Sequence, residues 1–387
     1  MGKSIAVVSR KRRDIQVESF VEIVGFGKYW YILPTDVMRV WHGIYKKLIT
    51  KENIFRGYRE FLKGKKKKKD VVKFAKEKNK NLSDLQMSLL NKSYQPGGYS
   101  QFLVHDPKTR IIHKASVRDR VVHHIVSDVL VKIFEPTFIA HSYSCRKGKG
   151  THKGVVALQK MALKVSRNDT KTCWVLKSDI SKFFASINHK ILLRMLKRKI
   201  EDEDFCDLLT KIVDSFYSDK TVDLNDKKGI PIGNLTSQFF SNVYLNELDR
   251  FIKHDLRVTY YVRYADDFVI VDNSRDYLLS LVDPIQKFLK SKLDLELHPG
   301  KITTRKFISG IDFLGYIIFP SYILPRTKTK RRLIRKIRHK IGEFKQGKIT
   351  EETLNQTIQS YYGFLTHAHA YEFKKELQNL IWFWLTE

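Results

Sequence analysis

The sequence predicts an α+β protein made of several packed subdomains or of two domains, and two observations support this prediction. The chain has 387 residues, more than the length at which a single hydrophobic core stops growing. Along it, segments with apolar residues three or four positions apart alternate with short runs of β-branched and aromatic residues. Helices and strands are therefore both expected.

The first half of the chain contains a long helical region followed by a hairpin. Residues 1–35 are predicted as an N-terminal extension, either a short hairpin or an irregular segment. Helical spacing then runs from Asp36 to Asn91, interrupted by KGKKKKKD (63–70), where five successive lysines repel one another and favour a solvated loop. That loop is either a disordered surface segment or a contact for RNA. A hairpin with its turn near Asp106–Pro107 precedes a helix that begins near Ser116.

The second half alternates strands and helices. The pattern predicts a buried strand over 174–180, a helix from about Asn188, a helical stretch to about Tyr217 and a loop at KGIPIGN. A helix through LTSQFFSNVYLNELDRFIKH, the hairpin VTYYVRYADDFVIVDN and a helix over 276–292 follow. Further strands are expected at LELH, KITTR and IDFLGYIIF, and the tail from about Thr327 is predicted to be helical.

The charge balance points to a polyanionic partner. Lysine and arginine number 72 against 41 aspartate and glutamate, a formal net charge of +31, and the basic residues recur along most of the chain. A partner that carries many phosphates explains this best, with a basic protein that has no polyanion as the alternative. Within the tail, RTKTKRRLIRKIRHKIGEF places many cations on a predicted helix whose buried stripe is Leu333, Ile334, Ile337 and Ile341.

Cysteine usage and hydropathy predict a cytoplasmic protein. The three cysteines lie far apart and form no CxxC pair, so neither a disulfide framework nor a zinc site is indicated. The apolar run near the N-terminus is too short for a signal peptide, and no segment approaches the length of a membrane span.

Two adjacent carboxylates stand in the middle of the strand-like run YVRYADDFVI (261–270). Burying an unpaired carboxylate is costly, so Asp266 and Asp267 require a cation nearby. Asp179 ends another hydrophobic strand 87 residues before Asp266. If the two strands are neighbours, three carboxylates converge at one end of a sheet. Two Mg²⁺ ions held there could activate a 3′-hydroxyl and stabilise a leaving pyrophosphate.

These residues resemble the palm motifs of a reverse transcriptase, and the resemblance extends over about residues 95–320. SDISKFF is similar to motif A, which implies that Asp179 is a metal ligand and that Phe184 is the aromatic gate against a ribose 2′-hydroxyl. YADD is similar to motif C, which implies metal ligation by Asp266 and Asp267. The family fold is a right hand of palm, fingers and thumb, and its substrates are dNTPs with two Mg²⁺ ions.

Further segments resemble the motifs that contact the nucleotide and the primer. KTRIIHKASVRDR is similar to the first fingers motif, which implies that Lys108 and Arg110 face the triphosphate or the template. SYSCRKGKGTH is similar to the second fingers motif, which implies that Arg146 and Lys149 contact phosphates. ELHPGKITTRKF is similar to motif D, which makes Lys301 the candidate acid for the leaving pyrophosphate; a lysine that only caps a strand turn is the alternative. GIDFLGYII resembles the primer grip, motif E, and would also suit an ordinary core strand.

Motif B narrows the resemblance. It reads IPIGNLTSQFF, in which Ile232 replaces the usual Gln and Gln238 the usual Pro. The pattern IGxxxSQ, which includes Gly233, resembles reverse transcriptases of diversity-generating retroelements. This implies cDNA synthesis with errors at template adenines, used in mutagenic retrohoming to diversify a target gene. Ile offers only apolar contact to the incoming nucleotide, so discrimination should weaken; a packed loop residue without that role is the alternative.

The resemblance gives a division of the chain and a set of partners. Residues 1–35 would be an extension, 36–178 mainly fingers, 179–320 mainly palm and 321–387 a helical thumb. The partners would be a structured template RNA, the RNA/cDNA duplex and a small basic accessory protein that forms a pentameric ring. A reverse transcriptase of retron, group II intron or phage-defence type is the main alternative, and a non-catalytic RNA-binding protein is another.

Overall fold

The computed structural model describes residues 40–105, 108–218 and 226–387 with their side chains, and three earlier strands by their backbone. The chain divides into two compact units. The first unit comprises residues 1–139, 181–251 and 288–296, and the second comprises 140–180, 252–287 and 297–387. The predicted division into extension, fingers, palm and thumb stays a prediction.

The N-terminal part of the chain forms an antiparallel sheet. Its strands are β1 (Lys3–Arg12), β2 (Ile15–Phe26), β3 (Tyr29–Leu33) and β4 (Val40–Trp41). Strand β2 pairs with each of the other three. The extension, predicted as a short hairpin or an irregular segment, is thus strand-rich.

Helices and one hairpin make up the chain up to residue 139. The helices are α1 (Ile44–Leu48), α2 (Lys51–Leu62), α3 (Lys69–Lys76) and α4 (Lys78–Leu90). After them come β5 (Ser100–Val104), β6 (Arg110–Lys114) and α5 (Val117–Phe134). Strands β5 and β6 pair antiparallel, as predicted, while residues 106 and 107 of the predicted turn lie outside the described residues.

The middle of the chain carries the remaining helices of the first unit, several helices of the second unit and most of the main sheet. These elements are α6 (Thr151–Val165), β7 (Trp174–Ser178), α7 (Phe183–Ser186), α8 (His189–Lys197), α9 (Glu203–Asp214) and α10 (Leu235–Arg250). They are followed by β8 (Tyr260–Tyr264), β9 (Asp267–Asp272), α11 (Arg275–Ser280) and α12 (Val282–Phe288).

The last part contains four short strands and three helices. The strands are β10 (Thr303–Lys306), β11 (Ile311–Phe313), β12 (Tyr316–Ile318) and β13 (Ile323–Pro325). The helices are α13 (Thr327–Lys345), α14 (Glu351–Leu365) and α15 (Tyr371–Thr386). None of the described helices is long and apolar enough to cross a membrane.

Local sequence signals fix two helix starts. The Ser116 hydroxyl accepts a hydrogen bond from the Asp119 amide at 3.1 Å, and the Asn188 side chain accepts one from the Ile191 amide at 3.3 Å. Both residues are N-caps, which satisfy amides that have no partner within the helix. The predicted starts of α5 and α8 are confirmed.

The strand predicted at LELH was wrong. Leu295 and Leu297 are buried, as the alternating pattern required, but the segment forms only one isolated bridge, between Leu297 and Ile180. Pro299, which has no amide hydrogen to donate, begins a short 3₁₀ turn two residues later.

The second unit is built on an antiparallel sheet of order β10-β7-β9-β8. Val155 and Leu158 of α6 pack on one face of it, against Val175, Val262 and Val269. The C-terminal helices form a separate cluster in which Leu333, Ile337 and Ile341 are buried, as predicted, and Ile334 is partly buried. The basic residues of α13 lie between these apolar positions.

Candidate active site

Two of the predicted carboxylates lie side by side at one end of the main sheet. Strands β7 and β9 pair with Ser178 opposite Phe268, so the next position along β7, Asp179, lies beside Asp267. Side chains alternate along a strand, which places both carboxylates on the same face as Val175 and Val269. The sequence prediction that these strands are neighbours is confirmed.

A tight turn presents Asp266. Tyr264 pairs with Asp267, so Ala265 and Asp266 form a two-residue hairpin loop, with Ala265 at φ +52°. The fully buried Arg263 donates a hydrogen bond to the Ala265 carbonyl at 3.1 Å, which holds this turn from below. Sequence reasoning missed Arg263; its place inside an otherwise apolar strand was the available signal.

The carboxylates of this cluster affect one another. The pKa of the Asp267 carboxyl is raised to about 6, mainly by burial; Lys177 lowers this pKa, and the neighbouring Asp179 and Asp266 carboxylates contribute to the rise. The Asp179 and Asp267 carboxyl groups also hydrogen-bond to each other. Grouped, buried carboxylates of this kind favour the binding of a cation.

Lys301 lies at the same site. Its Nζ is 2.6 Å from Oδ2 of Asp179, whose side chain is only 10% exposed. Lys301 ends the short turn Pro299–Lys301, and the preceding His298 amide donates to the Asp179 carbonyl at 2.8 Å. The structure therefore brings Lys301 to the carboxylates, and its side chain does more than cap a turn.

Lys177 is a second lysine at the carboxylates, and sequence reasoning missed it. It is two residues before Asp179 on β7, hence on the same face, which is the signal that could have identified it. Its Nζ donates to the Asp312 carbonyl of β11 at 2.9 Å. The Asp312 carboxylate in turn pairs with Nε of Arg326 at 2.9 Å. Lys177 thus connects the carboxylate cluster to the segment predicted as the primer grip.

The carboxylates of Asp179, Asp266 and Asp267 are suitable ligands for magnesium, but they are not yet arranged around a single ion position. Carboxylate oxygens are the ligands that Mg²⁺ prefers, and the pKa of Asp267 is raised first by burial and then by the neighbouring carboxylates. Within the described parts of the chain, no three side chains of His, Cys, Asp or Glu are already placed as ligands of one ion. Instead, an oxygen of Asp179 is paired with Lys301. Ion binding would require Lys301 to release that oxygen.

The loop that contains Ile232 and Gly233 is fixed to the hairpin strand β6. The His113 amide donates to the Ile232 carbonyl at 2.9 Å, and the Asn234 side chain donates to the His113 carbonyl at 3.0 Å. Gly233 has φ +115°, and a Cβ added there would lie 2.6 Å from Cγ2 of Ile112. Only glycine fits that backbone conformation and that spacing. Ile232 itself is half-buried.

Phe184 is joined to the same loop. Its carbonyl accepts a hydrogen bond from the Ile230 amide at 2.8 Å, and its ring packs edge-on against buried Phe183. Phe184, Ile232 and the strand that begins at Arg110 therefore form one hydrogen-bonded assembly. Gln238, on the first turn of α10, is exposed.

The predicted phosphate contacts fall into two groups. Lys108 and Arg110 are exposed at the hairpin of β5 and β6. By contrast, Arg146 donates to the Ser142 carbonyl at 2.9 Å, and Lys149 to the Ala140 carbonyl at 2.7 Å. In this state, therefore, the second pair helps to order its own loop.

Comparison with known proteins gives a family match. Residues 104–318 match the model of the reverse transcriptase (RNA-dependent DNA polymerase) family. The chain is 25% identical over 271 residues to protein YkfC of Escherichia coli, covering 61% of this chain and 70% of that protein. It is 22% identical over 351 residues to the group II intron-encoded protein LtrA of Lactococcus lactis, covering 74% of this chain.

The match with LtrA is partial, because the chain spans 54%, about half, of that protein. Among solved structures, the telomerase of Candida albicans in complex with a fragment of telomeric RNA aligns at a TM-score of 0.44 and 11% identity. That alignment covers 78% of this chain and 64% of the telomerase chain.

Proposed function

The chain belongs to the reverse transcriptase (RNA-dependent DNA polymerase) family, and we propose that it copies a structured template RNA into cDNA for a diversity-generating retroelement. Family membership confirms the predicted right-hand polymerase fold and the predicted enzyme class, an RNA-directed DNA polymerase. The observation that carries the polymerase chemistry is the pairing of Asp179 with Asp267 at one end of the sheet, beside the turn that presents Asp266.

In this proposal Asp179, Asp266 and Asp267 hold two Mg²⁺ ions, which supply charge stabilisation for attack by the primer 3′-hydroxyl on a dNTP. Arg263 holds the hairpin turn so that Asp266 and Asp267 keep their positions. Lys301 lies close to the carboxylates. Once its ammonium group is released from Asp179, it would serve as the proton donor to the leaving pyrophosphate.

Several further residues would contact the nucleotide. Phe184 would exclude ribonucleotides, and Lys108 and Arg110 would meet the triphosphate. Ile232, Gly233 and Gln238 would support the new base pair. Arg146 and Lys149 would add phosphate contacts once their bonds to their own loop are exchanged for bonds to the ligand.

The assignment to a diversity-generating retroelement depends on the motif B loop. An apolar side chain at 232 cannot replace the hydrogen bonds that a glutamine could make near the incoming sugar and base, which favours misincorporation. Errors at template adenines, mutagenic retrohoming, a pentameric basic accessory protein and action in the cytoplasm belong to this same proposal. Their support is the resemblance of IGxxxSQ to that class of enzyme.

A second candidate function has its own support. LtrA is a group II intron-encoded protein, and its similarity favours a reverse transcriptase that serves an intron or another bacterial element. The two candidates differ in their errors, because only the first predicts changes concentrated at one template base.

The test is to sequence cDNA made by the purified protein from the structured RNA encoded beside its gene. Reactions contain Mg²⁺ and dNTPs, with and without the neighbouring accessory protein, and D266N is the control. Errors concentrated at template adenines, with no product from D266N, are expected. Faithful cDNA, or errors spread evenly over the four template bases, would leave a reverse transcriptase and remove the retroelement assignment. Product from D266N would contradict the role of the carboxylates.

A further inference from the structure

A groove with a lysine rim runs along the outer face of α6 in the second unit. It encloses about 630 Å³, within the range of ligand-binding pockets. Its lining includes Tyr143, Tyr260 and the exposed face of α6, where Val156 is 42% exposed. Tyr143 and His152 belong to the segment SYSCRKGKGTH, but the motifs assigned above give no role to the exposed face of α6.

The rim is positively charged along its whole length. Lys153, Lys160 and Lys164 are all exposed and lie on one face of α6, spanning about 16 Å at the helical rise per residue. Among the described residues that line the groove there is no carboxylate. The groove therefore presents a row of cations with no neutralising side chain on its wall.

Aromatic rings lie at both ends of this row of cations. Nζ of Lys164 lies 6.0 Å from the centre of the Tyr260 ring. At the other end, His152 stacks on His367, with ring centres 3.6 Å apart. Both histidines line the groove, so its floor already holds a stacked pair of flat rings. Rings and lysines together make the kind of surface on which single-stranded nucleic acid binds, because bases stack on the rings and phosphates bind the cations.

The groove also has a direction. Near its start, the Thr151 hydroxyl lies 3.3 Å from the hydroxyl of Tyr264, the residue paired with Asp267. Tyr260 lines the far part of the groove and is four residues back along β8, about 13 Å away at the rise of a strand. The groove thus leads from beside the catalytic hairpin outward along the sheet edge.

We propose that the α6 groove binds an unpaired segment of the RNA that this enzyme copies. The proposal rests on the proposed function, because it names a second contact for the template RNA. Single-stranded RNA fits better than an acidic peptide, since a peptide would use the lysines and leave the stacked rings without a planar partner. The formal net charge of +31 agrees with a phosphate-bearing ligand.

The test measures binding of fluorescein-labelled oligouridylate to enzyme already saturated with a blunt RNA/DNA hybrid, so that the catalytic cleft is occupied. The variants are K160E/K164E, which reverses the rim charge, and Y260L, which removes a ring and keeps an apolar side chain. The matched control is K190E/K197E, which reverses two exposed lysines seven residues apart on α8, outside the groove. Thermal unfolding of each variant establishes that it is folded.

We expect about tenfold weaker binding of oligouridylate for K160E/K164E and for Y260L, and a change within about twofold for the control. Extension of a short primer on an oligonucleotide template should be the same in all of them. Equal losses in the groove variants and the control, no loss in the groove variants, or displacement of the RNA by oligoglutamate would overturn the proposal. D266N should bind oligouridylate normally while making no cDNA. Normal binding together with cDNA synthesis by D266N would count against the proposed function alone.

Discussion

Removal of the Lys301 charge should make the enzyme bind Mg²⁺ more tightly and work more slowly. Nζ of Lys301 is 2.6 Å from Oδ2 of Asp179, so the lysine and an ion compete for the same oxygen. The variant K301M keeps most of the length of the side chain and its apolar stem, and removes only the competing cation. Two opposite effects then follow from one change.

The size of the first effect follows from the exposure of the pair. The Lys301 side chain is 35% exposed and that of Asp179 is 10% exposed, so water partly screens the interaction. A pair of this kind contributes about 1 kcal/mol, which corresponds to about a fivefold lower half-saturating Mg²⁺ concentration in K301M. The second effect is a fall of about a hundredfold in the rate at saturating Mg²⁺, because the proposed proton donor is missing.

The assay is the initial rate of dNTP incorporation as a function of free Mg²⁺. Binding of Mn²⁺ to the enzyme without nucleotide, followed by electron paramagnetic resonance, gives an independent measure of ion affinity. K306M is the matched control, since Lys306 lies at the other end of β10 and its Nζ is over the Trp174 ring at 5.4 Å. It should leave both quantities unchanged.

K301R separates the two roles. Arginine keeps the competing charge but does not release a proton in this pH range, so the ion requirement should stay near that of the natural enzyme while the rate falls. An unchanged or raised Mg²⁺ requirement in K301M would refute the competition. An unchanged rate in K301M would refute the role as proton donor.

Three further changes test other parts of the structure. G233A should lower kcat/KM for dNTPs at least tenfold, because alanine at φ +115° is strained and its Cβ would lie 2.6 Å from Cγ2 of Ile112; kinetics as for the natural enzyme would show that the loop adapts freely. Burial lowers the pKa of His123 from 6.5 to about 4, so the unfolded chain takes up a proton first as pH falls and about 3 kcal/mol of stability is lost between pH 6.5 and 4. Urea unfolding of H123Q should show a loss of stability between pH 6.5 and 4 that is about 3 kcal/mol smaller than that of the natural protein. An equal loss in the two proteins would contradict the assignment of this pH dependence to His123. G57A places a Cβ 2.4 Å from Cγ2 of Ile125, so denaturant unfolding should show that the protein is destabilised by about 1–3 kcal/mol. This destabilisation should largely disappear when the same change is made in an I125A background. If the effects of the two substitutions on the free energy of unfolding were additive, the contact would be contradicted.

Local patterns predicted much of the fold because their causes are local. The caps Ser116 and Asn188 satisfy amides within three residues, and the apolar runs around Asp179 and Asp267 are themselves buried strands. The LELH segment was different. Alternation of apolar and polar residues indicates which side chains are buried, but it does not indicate whether a neighbouring strand is available for pairing. Leu297 found burial with a single bridge to Ile180, and no ladder followed.

Contacts between distant residues could not be predicted from the sequence. Lys177 contacts the carbonyl of Asp312, which is 135 residues away and lies in a different sheet, so only the tertiary fold brings the two together. The pairing of Lys301 with Asp179 depends in the same way on the turn at Pro299. The residue types indicated metal chemistry, whereas the positions of Lys177 and Lys301 beside the carboxylates depend on tertiary structure.

The way in which the motif B loop is held suggests that activity and accuracy can be separated at Ile232. The main chain of this loop bonds to the Phe184 carbonyl and the His113 amide, and the Asn234 side chain donates to the His113 carbonyl. None of these bonds uses the side chain at 232. I232Q should therefore leave the loop in place and extend primers at a rate within about threefold of the natural enzyme. Misincorporation at template adenines should fall, because glutamine restores a hydrogen-bonding check that isoleucine lacks. Deep sequencing of cDNA from both enzymes measures this, and unchanged errors at adenines would move the origin of infidelity away from Ile232.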